Sequence, residues 1–211
     1  MTMSILVAGA TGKTGLHLVR HLLARGAEPT ALVREESDTS ALPSGVHLRQ
    51  ADLTDLPNDV CAGMDAVVFA AGAGGSSSPE MTDAVDRDGA RRLIDLAQQA
   101  GVNRFVMLSS VGADQANPTG DLAHYLKAKH VADEHLKRSG LTYAILRPVA
   151  LTDDGPGGEP VLGEAVDKTA SASRADVARL LAEAAVNGRL DGQVQTMQSA
   201  EPDGIHRKNQ A

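Results

Sequence analysis

The chain has 211 residues, 42% of them hydrophobic, which is enough for one large core. Its formal net charge of -7 disfavours nucleic acid and anionic membrane as partners. No window reaches the ~18 consecutive apolar residues of a membrane helix, residues 1–10 lack a signal-peptide layout, and the single cysteine, Cys61, forbids an internal disulfide, so a cytoplasmic globular protein is expected.

The chain opens on Ser4-Ile5-Leu6-Val7-Ala8, an apolar run that reads as a buried parallel strand. It leads into Gly9-Ala10-Thr11-Gly12-Lys13-Thr14-Gly15, where three glycines are spaced G-x-x-G-x-x-G and a helical pattern begins at once. Strand, glycine loop and helix in that order suit a dinucleotide pyrophosphate. Gly9 permits the tight turn, Gly12 lets backbone amides approach the phosphates, and Gly15 lets the helix pack close to the strand. In the helix, Leu16, Val19, Leu22 and Leu23 form an apolar stripe, with His17, Arg20 and His21 opposite. His17 and His21 have the spacing of a zinc pair but no third ligand, so the reading is a solvated face and no metal.

Pro29 to Val33 reads as the second strand, and the residue after it bears on the cofactor. An NAD site usually places an acid there for the ribose 2′-OH; this chain has Arg34, whose guanidinium suits a 2′-phosphate and favours NADP over NAD. Glu35 and Glu36 are competing partners for Arg34, and Lys13 would add positive charge nearby. Val46 to Gln50 is a third strand. Asp52 beyond it is either an acceptor for adenine N6 or a cap for a short helix. Ala66 to Ala70 is a fourth buried strand, running into a glycine- and serine-rich stretch from Ala71 to Pro79 that fixes no single shape.

Val85, Leu93, Leu96, Ala97 and Ala100 then mark a long amphipathic helix with Asp83, Arg87, Arg91 and Asp95 on its polar face and Gly101 as its C-terminal cap. Arg104 to Leu108 is the fifth strand, followed by Ser109-Ser110-Val111-Gly112. Thr142 to Arg147 is the sixth, closed by Pro148. Strands alternating with helical crossovers imply an α/β fold, a doubly wound parallel sheet with helices on both faces, its ligand at the carboxyl edge.

The helix expected over Leu122 to Ser139 holds the chemistry. Tyr125 and Lys129, spaced i, i+4, share a face with Leu122, Ala132 and Leu136, while Lys127, Glu134 and Lys137 lie towards water. An inward lysine needs a partner or a purpose. An ammonium beside a tyrosine favours the phenolate, so Tyr125 suits a general acid or base at a carbonyl, with Lys129 also holding the cofactor ribose. Ser110 would donate a hydrogen bond to the same oxygen. The competing reading is a packed tyrosine and a lysine stretched to solvent.

The glycine loop, Ser109-Ser110-Val111-Gly112, Tyr125 with Lys129, and Leu146-Arg147-Pro148 together resemble the short-chain dehydrogenase/reductase superfamily, nearest its atypical branch of small NAD(P)-binding, NmrA-like and epimerase/dehydratase-type proteins. The resemblance spans nearly the whole chain. It implies a Rossmann fold and places Ser110, Tyr125 and Lys129 at the positions of the family's catalytic triad. It further implies cofactor contacts from Thr11, Lys13, Thr14, Arg34, Asp52, Leu53, Ala70, Ala71, Gly72, Ser109, Lys129 and Pro148.

After Pro148 the chain is too short for the full substrate domain of sugar-nucleotide epimerases, so residues 1–211 are expected to form one domain, with 151–211 adding a small lid and a last helix and strand. Leu151 to Pro160 is the lid candidate. Ser173 would cap a helix containing Val177, Leu180, Leu181 and Ala185, and a strand would follow around Val194 to Met197. Glu201 to Ala211 is polar and expected to fray. These features describe an NADP-dependent oxidoreductase acting on a small carbonyl or related compound. The alternatives are a non-enzymatic NADP(H) sensor, which needs no pocket beside Tyr125, and a redox-neutral epimerase or dehydratase. Charged outer faces on the helices after the fourth and fifth strands point to a monomer.

Overall fold

The structure, a computed structural model, describes residues 2–74 and 77–200. The polar tail from Glu201 onward, and Gly75 and Ser76 of the glycine-serine stretch, lie outside the described residues. Six parallel strands follow the expected path: β1 (Ser4–Ala8), β2 (Glu28–Val33), β3 (His47–Gln50), β4 (Ala66–Phe69), β5 (Arg104–Leu108) and β6 (Thr142–Pro148). The sheet order is β3-β2-β1-β4-β5-β6-β10-β8, where β10 (Gln193–Gln198) is parallel to β6 and β8 (Val161–Leu162) closes the edge antiparallel to it. The order reverses between β1 and β4, which opens the ligand crevice at their carboxyl ends.

Alternation along each strand builds two cores. Ile5 and Val7 of β1, with Val68 and Val106, face α1 (Lys13–Ala24) and α5 (Arg174–Asn187) through Leu18, Val19, Leu22, Val177, Leu180 and Leu181. Leu6, Val67, Phe69, Phe105 and Met107 point the other way, against α3 (Ala90–Gln99) and α4 (Ala123–Arg138) through Leu93, Leu96, Ala132 and Leu136. Both halves are fully buried at their centres, and each such Leu or Phe contributes about 1.5–3 kcal/mol of apolar burial. The terminal helix and strand are therefore integral to the domain: α5 completes one core and β10 extends the main sheet.

Three departures from the sequence reading matter for the site. First, the helix after β4 starts earlier, at α2 (Pro79–Thr82), where Ser78 is the N-cap and Pro79 takes the first position. It then widens into a π-helical stretch, Asp83–Gly89, before continuing as α3. This widening re-aims the side chains: Val85 faces the crevice rather than the core, and Asp86 is buried. Ala100, at the end of the expected stripe, is exposed. Second, Leu122 precedes α4 and is 63% exposed rather than packed with Ala132 and Leu136. Third, the expected lid segment begins as a strand: β7 (Ala150–Thr152) pairs with β9 (Ser171–Ser173) in a separate two-stranded parallel sheet. Ser173 caps α5 as expected, accepting from Asp176 N. Among the described residues no helix is long and apolar enough to cross a membrane.

Candidate active site

The glycine loop is built by contact as well as by conformation. Gly9 has φ +84°, and a Cβ there would lie 2.6 Å from Ala71 N, because the loop passes directly over the end of β4. At Gly15 a Cβ would fall 2.0 Å from Gly9 O, so only glycine lets α1 start this close to β1. Gly12 is the exposed member and lines the ligand side, where a Cβ would lie 3.3 Å from Gly9 O.

Two clefts of about 470 Å³ and about 560 Å³ meet at Gly12 and at Ala70, Ala71 and Gly72. The first is lined by Gly9, Thr11, Leu32, Arg34, Asp52, Leu53 and Val85, among others. Arg34 faces it while its Nε lies 3.2 Å from Glu36 Oε1, so the competing ion pair forms at the rim of the cleft itself. Asp52 closes a turn: its Oδ1 accepts from Thr54 N at 2.8 Å and Thr54 Oγ1 at 2.7 Å, which lowers its pKa. No helix follows for it to cap.

The second cleft brings together Lys13, Thr14, Ser109, Tyr125 and Lys129, with Asp121, Leu122, His124, Leu151 and Arg174 around them. Lys13 thus belongs to this cleft and not beside Arg34; its ammonium pairs with Asp153. Tyr125 is half-buried in the wall. Beneath it Lys129 is 2% exposed, its Nζ 5.7 Å from the Tyr125 ring centroid and 5.5 Å from that of Phe69. The ammonium turns inward, to Asp86 Oδ1 at 2.9 Å and to the carbonyls of Leu108 at 3.4 Å and Ala71 at 3.5 Å. Burial works against its charge, but Tyr125 and Asp86 outweigh that and hold its pKa above the ordinary lysine value.

Asp86 was not marked out by any motif. It is 1% exposed, its Oδ2 accepts from Ala73 N at 2.9 Å, and a Cβ on Gly72 would lie 3.2 Å from its Oδ1. The carboxylate therefore ties the backbone shared by both clefts to the lysine under Tyr125. A signal existed: Asp86 stands in the i, i+4, i+7, i+11 row with the buried Ala90, Leu93 and Ala97, an acid in an apolar stripe. His124, also unmarked, has Nε2 2.9 Å from Asp83 Oδ1 and 3.1 Å from Pro79 O, joining α4 to the preceding helix.

Ser110 does not reach the cleft. The ladder to β6 continues past Leu108, with Ser109 N bonded to Leu146 O and Val111 N to Pro148 O, so successive side chains still alternate. Ser109 takes the cleft side and Ser110 turns away, its Oγ 3.3 Å from Val111 O. Ser109 in turn donates to Asp133 Oδ2 at 2.8 Å, in a buried cluster completed by Arg147 Nε at 3.0 Å. Burial pushes the Asp133 carboxyl up, against the pull of Arg147 and Ser109. Pro148 likewise lines neither cleft and serves the ladder; Gly15 serves helix packing. No group of metal-ligating side chains forms among the described residues.

A doubly wound sheet with its glycine loop and switch point opening into two joined clefts defines a dinucleotide-binding protein. The chain belongs to the NAD(P)H-binding family whose profile matches residues 9–187, an atypical short-chain dehydrogenase/reductase type. It is 37% identical over 184 residues to YhfK of Bacillus subtilis, named as an uncharacterized sugar epimerase, across 84% of this chain and 85% of that one. A solved structure from Bacillus halodurans, named provisionally as an NAD-dependent epimerase/dehydratase, superposes with a TM-score of 0.88 at 34% identity over 95% of each chain. The oxidoreductase ylbE of Lactococcus lactis superposes with a TM-score of 0.81 at 28% identity, covering 95% of this chain and 92% of its own.

Proposed function

We propose that the chain is an NADP-dependent oxidoreductase that moves hydride between the cofactor and a small carbonyl compound, with Tyr125 exchanging the proton. The observation that carries this reading is Tyr125 in the wall of a cleft of about 560 Å³ that shares Gly12 and Ala70–Gly72 with the neighbouring cleft. A sensor that only reports cofactor would need no such space beside the tyrosine. The bound nicotinamide supplies or accepts the hydride. The chain's own part is to hold the carbonyl oxygen at the Tyr125 hydroxyl, which donates its proton as the carbonyl is reduced and regains it in the reverse direction. Lys129 places its ammonium 5.7 Å from the centroid of that ring, a positive charge fixed close to where the proton is exchanged. Arg34 at the far cleft supports NADP, since a 2′-phosphate offers it a stronger partner than the exposed Glu36.

The test is a panel of small aldehydes, ketones and quinones with NADPH, following loss of the reduced cofactor's absorbance in the unmodified protein and in Tyr125→Phe. Turnover that the Phe variant retains in full would remove Tyr125 from the mechanism. The epimerase names of two relatives favour a second reading, in which the hydride returns to the substrate and no cofactor is consumed. An alcohol substrate converted to its epimer with NADP+ present and no net reduced cofactor formed would select it.

A further inference from the structure

Two cations at the rim of the Tyr125 cleft, Lys13 and Arg174, share a single carboxylate. Lys13 opens α1 and Arg174 opens α5, and both line the cleft. Asp153 sits between them: Arg174 Nη1 donates to Oδ1 at 2.6 Å, and Lys13 Nζ donates to Oδ2. The main chain builds this arrangement. β7 and β9 pair in the register Thr152↔Ser173, so the next residue of each, Asp153 and Arg174, emerge side by side. A few residues on, Gly157 N donates to Asp176 Oδ2 at 2.9 Å, which ties the loop down beyond Asp153.

Elsewhere in the cleft Lys129 pairs with Asp86, and His124 shares Asp83 with Arg87. At Asp153 two cations share one carboxylate, so a ligand anion that displaced it would meet two charged donors at once. Hydrogen bonding from Lys13, with the charge of Arg174, lowers the Asp153 pKa and keeps it anionic. Yet the Lys13 and Asp153 side chains are 70% and 56% exposed, and ion pairs at that exposure are screened and readily exchanged.

We infer that Lys13 and Arg174 form an anion clamp at the rim of the Tyr125 cleft, which Asp153 occupies until a phosphate or carboxylate group of a ligand displaces it. The inference rests on the proposed reading of the clefts as cofactor and substrate sites. The displacing group is either the diphosphate of the dinucleotide or an acidic substituent on the carbonyl compound; both present the same oxygens to the clamp.

Calorimetry of NADPH binding to the unmodified protein, Arg174→Gln and Asp153→Asn tests it. Loss of Arg174 should weaken the clamped ligand, and loss of the Asp153 charge should tighten it, each by about tenfold for a charge-assisted contact. Opposite shifts in NADPH affinity assign the diphosphate. Unchanged NADPH affinity, with opposite shifts in KM for a carboxylated aldehyde and none for its methyl ester, assigns the substrate. Arg174→Lys, which keeps the charge, should retain most of the affinity lost in Arg174→Gln. No shift in either arm, or shifts of one sign in both variants, overturns the clamp while NADPH binding by the unmodified protein leaves the reading of the site intact. If the unmodified protein binds no NADPH, that reading fails and takes the clamp with it.

Discussion

Lys129 Nζ stands 2.9 Å from Asp86 Oδ1, with both side chains almost fully removed from water. Neither charge is tolerable there alone, so the pair holds α4 against the π-helical stretch and fixes the floor beneath Tyr125. Asp86→Asn keeps the shape and deletes the counter-charge. It should destabilise the fold by about 3–5 kcal/mol, measured by urea unfolding, because it leaves an ammonium unpaired in the interior. Replacing both partners, Asp86→Leu with Lys129→Met, should cost less than the single change. The pH dependence has a definite sign. A lysine whose folded pKa is raised above 10.5 stabilises fully below that value and loses the contribution as pH rises through the folded pKa. In the unmodified protein this contribution should therefore be flat near neutrality and fall only above about pH 10.5, read as the free energy of urea unfolding against pH.

Tyr125→Phe removes one hydroxyl from the wall of the cleft and nothing from the core. Folding and NADPH affinity should be preserved while kcat falls by about 10²–10⁴, the range of a lost general acid. Thermal melting and calorimetry report the first two quantities, and cofactor absorbance the third.

Arg34 divides its charge between the cleft and Glu36. Arg34→Ala should weaken NADPH by about tenfold or more and leave NADH nearly unchanged, since only the former has a 2′-phosphate to lose. Glu36→Gln frees the guanidinium and should tighten NADPH. Equal affinity for both cofactors in the unmodified protein would refute the assignment.

Cys61 is 1% exposed, and burial raises its thiol pKa to about 11. A thiol reagent at about pH 8 should leave the native protein unlabelled and react only after unfolding, because the thiolate is both scarce and shielded. Rapid native labelling, followed by mass spectrometry, would contradict the packing around this residue.

The outer helix faces bear on assembly. Arg87 pairs with Asp83 and Asp88, and Glu134 with Lys137 and Arg138, so their charges are met within one chain. Burying them between copies would strip water from pairs that gain nothing new, and light scattering should return the mass of a single chain.

What the sequence determined by itself was whatever main-chain geometry imposes locally. Gly9 and Gly15 had to be glycines because of the turn and the close helix start, and that local necessity made the loop, the strand–helix alternation and the ligand edge legible. The pairing of Tyr125 with Lys129 was legible for the same reason, since i, i+4 on a helix is a local relation. The direction in which each side chain finally points was decided by the tertiary structure. Ser109 rather than Ser110 faces the cleft because the ladder with β6 continues one step beyond β5. Lys13 turns to Asp153 rather than towards Arg34 because the register of β7 with β9 sets that carboxylate at the rim. Lys129 is held inward because a widened helix from a different part of the chain delivers Asp86 to it. A charge takes whichever partner lies nearest in space, and only the folded chain decides which residue that is.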